Sequence, residues 1–274
     1  MTRRVALMGK PLRRRHSVVM HNAAFDAAGI DARYDLMEIE PEAVPGVVAD
    51  AHGPEWLGLG VTAPYKQIVA ELVDEVEKDA REIGAVNNVV RTDDGRLVGF
   101  NTDAAGFHAG AELALGRPLA GLNVVIAGAG GVAQAIAFAC RQAGVASITV
   151  GNRSVPASAA GVPAVALDSP EYAAALRTAD LAVNATTVGM VDPGTTMDVA
   201  LLPDHATVFD CVYVPAETPL LAAARSRGLR AANGSEMLIA QAAIAFERWT
   251  GVADMAGVMR EAVAPLLADP AAKA

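Results

Sequence analysis

The residues best suited to chemistry fall into two sets. The first is a glycine-rich turn, Gly128-Ala129-Gly130-Gly131-Val132-Ala133, between an apolar run at Val124–Ala127 and a helix-forming run. A backbone without side chains can approach a pyrophosphate closely. The N–H groups and partial positive charge of a starting helix attract an anion. The pattern is G-x-G-G-x-A, with Ala133 where a third glycine often packs helix on strand. Such a pattern is weak in isolation, and the order strand, turn, helix, strand around it gives it weight. At about 20 residues past the glycines, an NAD site usually places an acid for the ribose hydroxyls. Here the second strand ends in Asn152-Arg153-Ser154, and no acid follows before Asp168. A guanidinium attracts a ribose 2′-phosphate that an acid would repel. The reading is NADP rather than NAD.

The second set is scattered at strand ends in the N-terminal half: Ser17, Thr62, Lys66, Asn87 and Asp103. Lys66 closes GVTAPYK, Asn87 lies in GAVNN and Asp103 in GFNTD. Taken singly, a lysine or an aspartate in such a loop reads as a solvated residue. Spacing along the chain does not by itself bring Lys66 and Asp103 together.

The elements that must carry these residues alternate between strand and helix. Strands are predicted at Arg4–Met8, Arg33–Met37, Leu57–Val61, Val89–Thr92 and Leu97–Phe100, the last two flanking an Asp94-Gly95 hairpin signal. Helices are predicted at Ser17–Ala28, Pro41–Ala51, Gln67–Val73 and Glu75–Ile83. A second α/β run follows: a helix at Asp103–Leu115, a strand at Asn123–Ile126, a helix to about Ala143 and a strand at Ser147–Val150. Further strands are expected at Ala164–Leu167, Leu181–Asn184, Thr207–Asp210 and Arg230–Ala232, then helices at Glu236–Arg248 and Ala253–Leu267. The fold class is α/β, built of two α/β domains with a cleft between them. Residues 1–103 form the first, with C-terminal helices 238–274 packing back on it, and 104–237 form the second.

Composition narrows the partners. The chain has 274 residues and a net charge of −9, so a phosphate backbone is a poor partner and no nucleic acid is expected. The N-terminal apolar run, Val5–Gly9, is too short for a signal peptide, and Val124–Ala133 is too short to span a bilayer. The reading is a soluble, cytoplasmic protein with no membrane partner. Cys140 and Cys211 sit in apolar surroundings and read as buried, reduced thiols. The histidines lack ligand spacing, so no metal is expected. Trp249 reads as core and Trp56 as a surface anchor. Monomer and homodimer both stay open.

Nine ordered blocks across nearly the whole chain resemble the shikimate dehydrogenase family. They are GKPLRRRHSVVMHN, GVTAPYK, GAVNN, GFNTDAAGF, GAGGVAQA, GNRS, NATTVGM, DCVYVPAETPLL and GSEMLIAQAAIAFERWTG. The resemblance implies an N-terminal substrate-binding domain, a C-terminal NADP-binding Rossmann domain, and reversible NADP-linked reduction of 3-dehydroshikimate to shikimate. It implies Lys66 and Asp103 as the catalytic pair, and Ser17, Thr62, Asn87, Tyr213 and Gln241 as substrate contacts. For the cofactor it implies Gly128, Ala129, Gly130, Gly131 and Val132 at the turn and Asn152, Arg153 and Ser154 at the 2′-phosphate. Thr186, Met190, Gly234 and Met237 join that set, although both methionines also suit packing.

The chain departs from the family pattern in three places. Arg15 stands where the family has the first serine of Ser-x-Ser-Pro, Gly60 where it has asparagine, and Pro156-Ala157 where a second basic residue often follows the clamp. A guanidinium offers a carboxylate a charged fork in place of one hydroxyl. Arg15 therefore joins the substrate-binding candidates, with Gly60 expected to return space that Arg15 takes. The partner is a small anionic cyclic hydroxy acid: shikimate, or, in a divergent relative, quinate or another ring acid. A non-catalytic NADP-binding module is expected to have lost Lys66 or Asp103, and both are present. A folate-type dehydrogenase matches neither Ser17 nor the Asn-Arg-Ser clamp.

Overall fold

The structure is a computed structural model that describes residues 2–12, 15–190 and 192–268. It divides into two compact units, one of residues 1–102 with 241–266, the other centred on 103–240.

The first unit is built on β1 (Arg3–Gly9), α1 (His16–Ala28), β2 (Ala32–Glu38), α2 (Val44–Asp50), β3 (Trp56–Val61), α3 (Ile68–Leu72), β4 (Glu75–Val76), α4 (Lys78–Ile83), β5 (Asn88–Arg91) and β6 (Leu97–Phe100). Its sheet runs β2-β1-β3-β5-β6-β4 among the described residues. The β1 strand pairs in parallel with β2 and β3, whereas β3–β5 and β5–β6 are antiparallel, the latter as the Asp94-Gly95 hairpin. Every residue of β3 is buried, as expected of a central strand covered on both faces. The helix α1 stops at Gly29, whose left-handed φ of 66° lets its N–H bond back to the last turn, a conformation a Cβ would strain.

Three expectations change here. The segment Glu75–Ile83 is not one helix: Glu75–Val76 pairs in parallel with Val98–Gly99, and the helix begins only at Lys78. The Asp74 carboxylate accepts the Leu97 N–H (2.7 Å) and ties the start of this short strand to the sheet. The segment at 41–51 divides into a 3-10 turn, Pro41–Ala43, and α2, because Pro41 and Pro45 each suit a first helical turn and not a helix interior. Trp56 is no surface anchor. It is 1% exposed, its Nε1 donates to Asp50 (3.1 Å), and the Arg4 guanidinium lies 4.1 Å from its ring centre. A cation over the ring face lets an indole sit at the sheet margin while fully covered.

The second unit comprises α5 (Asp103–Leu115), β7 (Asn123–Ala127), α6 (Gly131–Gln142), β8 (Ser147–Asn152), β9 (Ser158–Ala159), β10 (Val162–Ala166), α7 (Pro170–Leu176), β11 (Leu181–Asn184), β12 (Thr207–Asp210), α8 (Pro219–Ser226) and β13 (Arg230–Asn233). The sheet order is β13-β12-β11-β7-β8-β10-β9. It is parallel except for the short β9, so the six long strands read 3-2-1-4-5-6. In such a sheet the order reverses between β7 and β11, and ligands bind beyond the carboxyl ends of the strands at that point. The chain closes with α9 (Ser235–Thr250), which passes from the second unit to the first at residues 240–241, and α10 (Ala256–Ala268). No helix among the described residues is long and apolar enough to cross a membrane.

Candidate functional site

In the first unit the candidates gather at the carboxyl ends of β1 and β3. Thr62 follows β3 directly, and its N–H donates to the Met8 carbonyl of β1 (2.9 Å). A turn from Thr62 to Tyr65 then carries the chain to Lys66, whose carbonyl accepts the Val86 N–H (2.9 Å). The Asn87 carbonyl accepts the Val61 N–H (2.8 Å), so the Lys66 and Asn87 segments lie side by side past the sheet. The Asn87 side chain is 6% exposed and its orientation is fixed. Its Oδ1 accepts the Thr102 N–H (2.9 Å) and the Asn88 Nδ2 (2.8 Å), and its Nδ2 donates to Thr102 Oγ1 (3.1 Å). The same Nδ2 lies 3.4 Å from Gln241 Oε1, so two predicted substrate contacts 154 positions apart in sequence meet. Lys66 is half-buried.

Ser17 lies in the first turn of α1, half-buried, with its side chain hydrogen-bonded to the Tyr34 phenol. Arg15 caps α1 through its backbone, its carbonyl accepting the Val19 N–H (3.0 Å), and the residue is exposed. Gly60 does not leave room for Arg15. A Cβ there would lie 2.6 Å from the Tyr34 hydroxyl and 3.2 Å from Leu7, so the space that an asparagine would use is filled by a phenol.

The second unit holds the rest. Asp103 is the first residue of α5 and is 4% exposed. A carboxylate at a helix start is stabilised by the helix dipole. Tyr213 is half-buried in the segment after β12. At the glycine turn, Gly128 has φ 112°, and a Cβ would meet Thr186 Cγ2 at 2.9 Å and the Ala185 carbonyl at 3.0 Å. Only glycine allows the turn after β7 to press against the turn after β11, which is where the strand order reverses. Gly130 and Gly131 face open space, and α6 begins there with the apolar side of Ala133 fully buried. Ala129 and Val132 flank them, half-buried. The turn is thus a cradle with bare backbone and free helix N–H groups, the features that suit a pyrophosphate.

Asn152, Arg153 and Ser154 leave the end of β8 beside it. Asn152 Nδ2 donates to the Ser154 carbonyl (2.8 Å) and shapes the loop, while Arg153 and Ser154 are exposed. Gly234 is needed for close approach, since a Cβ would lie 2.4 Å from the Cys211 carbonyl. Met237 is 5% exposed and backs onto Gly110 of α5, whereas Met190 is half-buried.

Sequence reasoning missed one polar network that braces this edge. Asn184 Nδ2 donates to Asp210 Oδ1 (2.8 Å), and Asn184 Oδ1 accepts from Thr186 Oγ1 (2.7 Å) and Thr196 Oγ1 (3.3 Å). Asp210 also accepts the Val212 N–H (3.0 Å) and the Thr218 hydroxyl (2.6 Å). Asn184, Asp210 and Thr218 are all buried. Burial holds the Asp210 carboxyl above its ordinary range, against the pull of Thr218, Val212 and Asn184. The network fixes the loops that carry Thr186 and Tyr213. Its signal was present, since Asn184 and Asp210 head two of the sequence blocks noted above. Burial also pushes the Cys140 thiol up to about 12, and the Cys211 thiol higher still with the help of the Asp210 and Asp103 charges. Neither thiol is a nucleophile at neutral pH.

Comparison with known proteins shows what the chain is similar to. The family model described as "Shikimate dehydrogenase substrate binding domain" matches residues 7–89, and that described as "Shikimate 5'-dehydrogenase C-terminal domain" matches 234–264. A shikimate dehydrogenase (NADP(+)) of Symbiobacterium thermophilum is 40% identical, over 94% of this chain and 92% of the relative. The shikimate 5-dehydrogenase of Thermus thermophilus, solved with NADP(H) and shikimate, superposes with a TM-score of 0.85 at 36% identity, covering 96% of this chain and 99% of its own. A quinate dehydrogenase of Corynebacterium glutamicum, solved with NAD, gives a TM-score of 0.88 at 34% identity, covering 96% and 99%.

Proposed function

The chain belongs to the shikimate dehydrogenase family, and from that premise we propose that it is a cytoplasmic, NADP-dependent dehydrogenase that interconverts 3-dehydroshikimate and shikimate. The observation that carries the cofactor half is the Gly128 cradle at the strand-order reversal, with an exposed Arg153 at the end of the neighbouring strand and no acid there. Gly128, Ala129, Gly130, Gly131 and Val132 would hold the pyrophosphate. Arg153, with Asn152 and Ser154, would hold the 2′-phosphate, a charged contact that NAD lacks. Thr186, Met190, Gly234 and Met237 would border the nicotinamide end. Bound NADP(H) supplies the hydride.

The substrate half rests on the first unit, whose sheet ends carry Ser17, Thr62, Lys66 and Asn87; Asp103 and Tyr213 complete the proposed set. Ser17 and Thr62 donate hydroxyl hydrogen bonds to the ring acid, and Arg15 adds a positive charge beside the site for its carboxylate. The Asn87–Gln241 pair presents amide groups whose orientation the Asn88 and Thr102 contacts have already fixed. Such preorganisation spares the ordering cost when substrate binds. Lys66 delivers a proton to the substrate oxygen during reduction and accepts it during oxidation. Asp103 accepts a hydrogen bond from the same hydroxyl and keeps it in line.

Lys66→Met and Asp103→Asn test these roles. Each should lower kcat for shikimate oxidation by about a hundredfold or more, the usual contribution of a positioned acid or base. NADP+ affinity, measured by calorimetry, should stay unchanged. Loss of only a few-fold in kcat would remove the residue from the chemical step.

A further inference from the structure

We propose that Tyr34 is a positioning residue for substrate binding, acting through the Ser17 hydroxyl, and that Gly60 is the space that lets it reach there. The proposal rests on the reading of Ser17 as a substrate contact and extends it one residue inward. Tyr34 sits on β2 opposite Val5 of β1, and Gly58 lies opposite Val5 on the other side, so Gly60 falls one residue pair further along the same face. The phenol crosses β1 to bring its hydroxyl to Gly60, at 2.6 Å from where a Cβ would be.

Each part of the ring is held. The Tyr34 backbone N–H donates to Asn22 Oδ1 and its carbonyl accepts from Asn22 Nδ2, both at 2.9 Å. The ring stacks on His21 at 4.4 Å between centroids and lies tilted against Trp249 at 5.9 Å. Ser17 and His21 are four residues apart on α1, so they stand one turn apart on one helix face. That turn matches the length of the phenol: His21 covers the ring and Ser17 meets the hydroxyl. Tyr34 is 2% exposed, and burial keeps the phenol protonated. The two hydroxyls share one hydrogen bond; once an anionic substrate takes the Ser17 hydrogen, the neutral phenol is the donor left to Ser17 Oγ and holds the serine oxygen in place. A serine without this partner would turn among rotamers and share its hydrogen with other acceptors. The unusual Gly60 and the buried Tyr34 are thus two halves of one device.

The test is a set of steady-state measurements with shikimate and saturating NADP+. Ser17→Ala should raise KM. Tyr34→Phe, which keeps the ring, should raise KM about threefold to tenfold, the effect of one oriented hydrogen bond, with kcat and NADP+ affinity nearly unchanged. The double variant should be no worse than Ser17→Ala alone, because Tyr34 acts through that hydroxyl. Gly60→Ala should raise KM in the presence of Tyr34 and have no further effect on top of Tyr34→Phe, where the obstructed oxygen is gone. If Ser17→Ala raises KM while Tyr34→Phe leaves it unchanged, or if the two effects multiply, the proposal is overturned and Ser17 keeps its role. If Ser17→Ala itself leaves KM unchanged, the underlying reading of Ser17 fails and the proposal fails with it.

Discussion

Replacing His21 by phenylalanine removes one titratable ring from the centre of the N-terminal unit and keeps an aromatic of similar size. His21 is 3% exposed, packed against Tyr34, Trp249 at 5.1 Å and Phe246 at 6.4 Å, and its Nδ1 has no hydrogen-bond partner among the described residues. Burial lowers its pKa from 6.5 to about 3. The folded unit therefore keeps the ring neutral across the range in which the unfolded chain protonates it. The unfolded state binds more protons below pH 6.5, so stability falls as pH drops from there towards about 3. Between about pH 7.5 and about pH 5 this one group removes about 2 kcal/mol from the folded state. That is a large share of the roughly 5–15 kcal/mol that holds a typical domain.

Urea unfolding followed by tryptophan fluorescence isolates the effect, because both tryptophans, Trp56 and Trp249, belong to the unit that contains His21. The wild-type chain should lose about 2 kcal/mol more than His21→Phe between those two pH values. Any packing change caused by phenylalanine appears at both pH values and cancels in the difference. Parallel pH profiles for the two proteins would refute the reasoning, since they would mean that His21 is as free to take a proton in the fold as outside it.

Three other perturbations follow from the same packing. Gly58→Ala places a Cβ 2.0 Å from the Val89 carbonyl and 2.7 Å from the Trp249 Nε1 that donates to it; it should cost about 3 kcal/mol or more in the same unfolding assay, and an unchanged midpoint would contradict the packing. Thr218→Val withdraws a hydroxyl from the buried Asp210 carboxylate, costing roughly 1–3 kcal/mol. Burial already disfavours the charged form of Asp210, so the drop in Tm should be larger at neutral pH than near about pH 4, and equal drops would show that Asp210 is not ionised in the fold. Arg153→Ala should weaken NADP+ binding about tenfold or more, by loss of a charged hydrogen bond, and leave NAD+ binding unchanged; calorimetry with both nucleotides distinguishes this from general damage to the turn.

Much of this was legible from residue types alone. The β7–turn–α6–β8 segment declared itself because glycine positions, apolar runs and helix formers agree on one local structure. The hairpin at Asp94-Gly95 was equally plain. The short strand at Glu75–Val76 was not, because two residues carry no period, and their pairing with Val98–Gly99 is a long-range event. Trp56 misled because its exposure depends on Arg4 and Asp50, which reach it from other elements. The departures at the substrate side show the same limit. Gly60 reads as missing bulk in sequence, yet a tyrosine two strands away fills the space, and only strand register reveals it. The Asn184–Asp210–Thr218 network was missed because its members end two separate strands and cap a helix, and they meet only once β11 and β12 are paired.

The most direct test of the account is initial-rate oxidation of shikimate by the purified chain, with NADP+ and NAD+ and with quinate in parallel. NADPH should form from shikimate, with kcat/KM above that for quinate and above that with NAD+. Tight NADP+ binding with no NADPH formed from shikimate would contradict it.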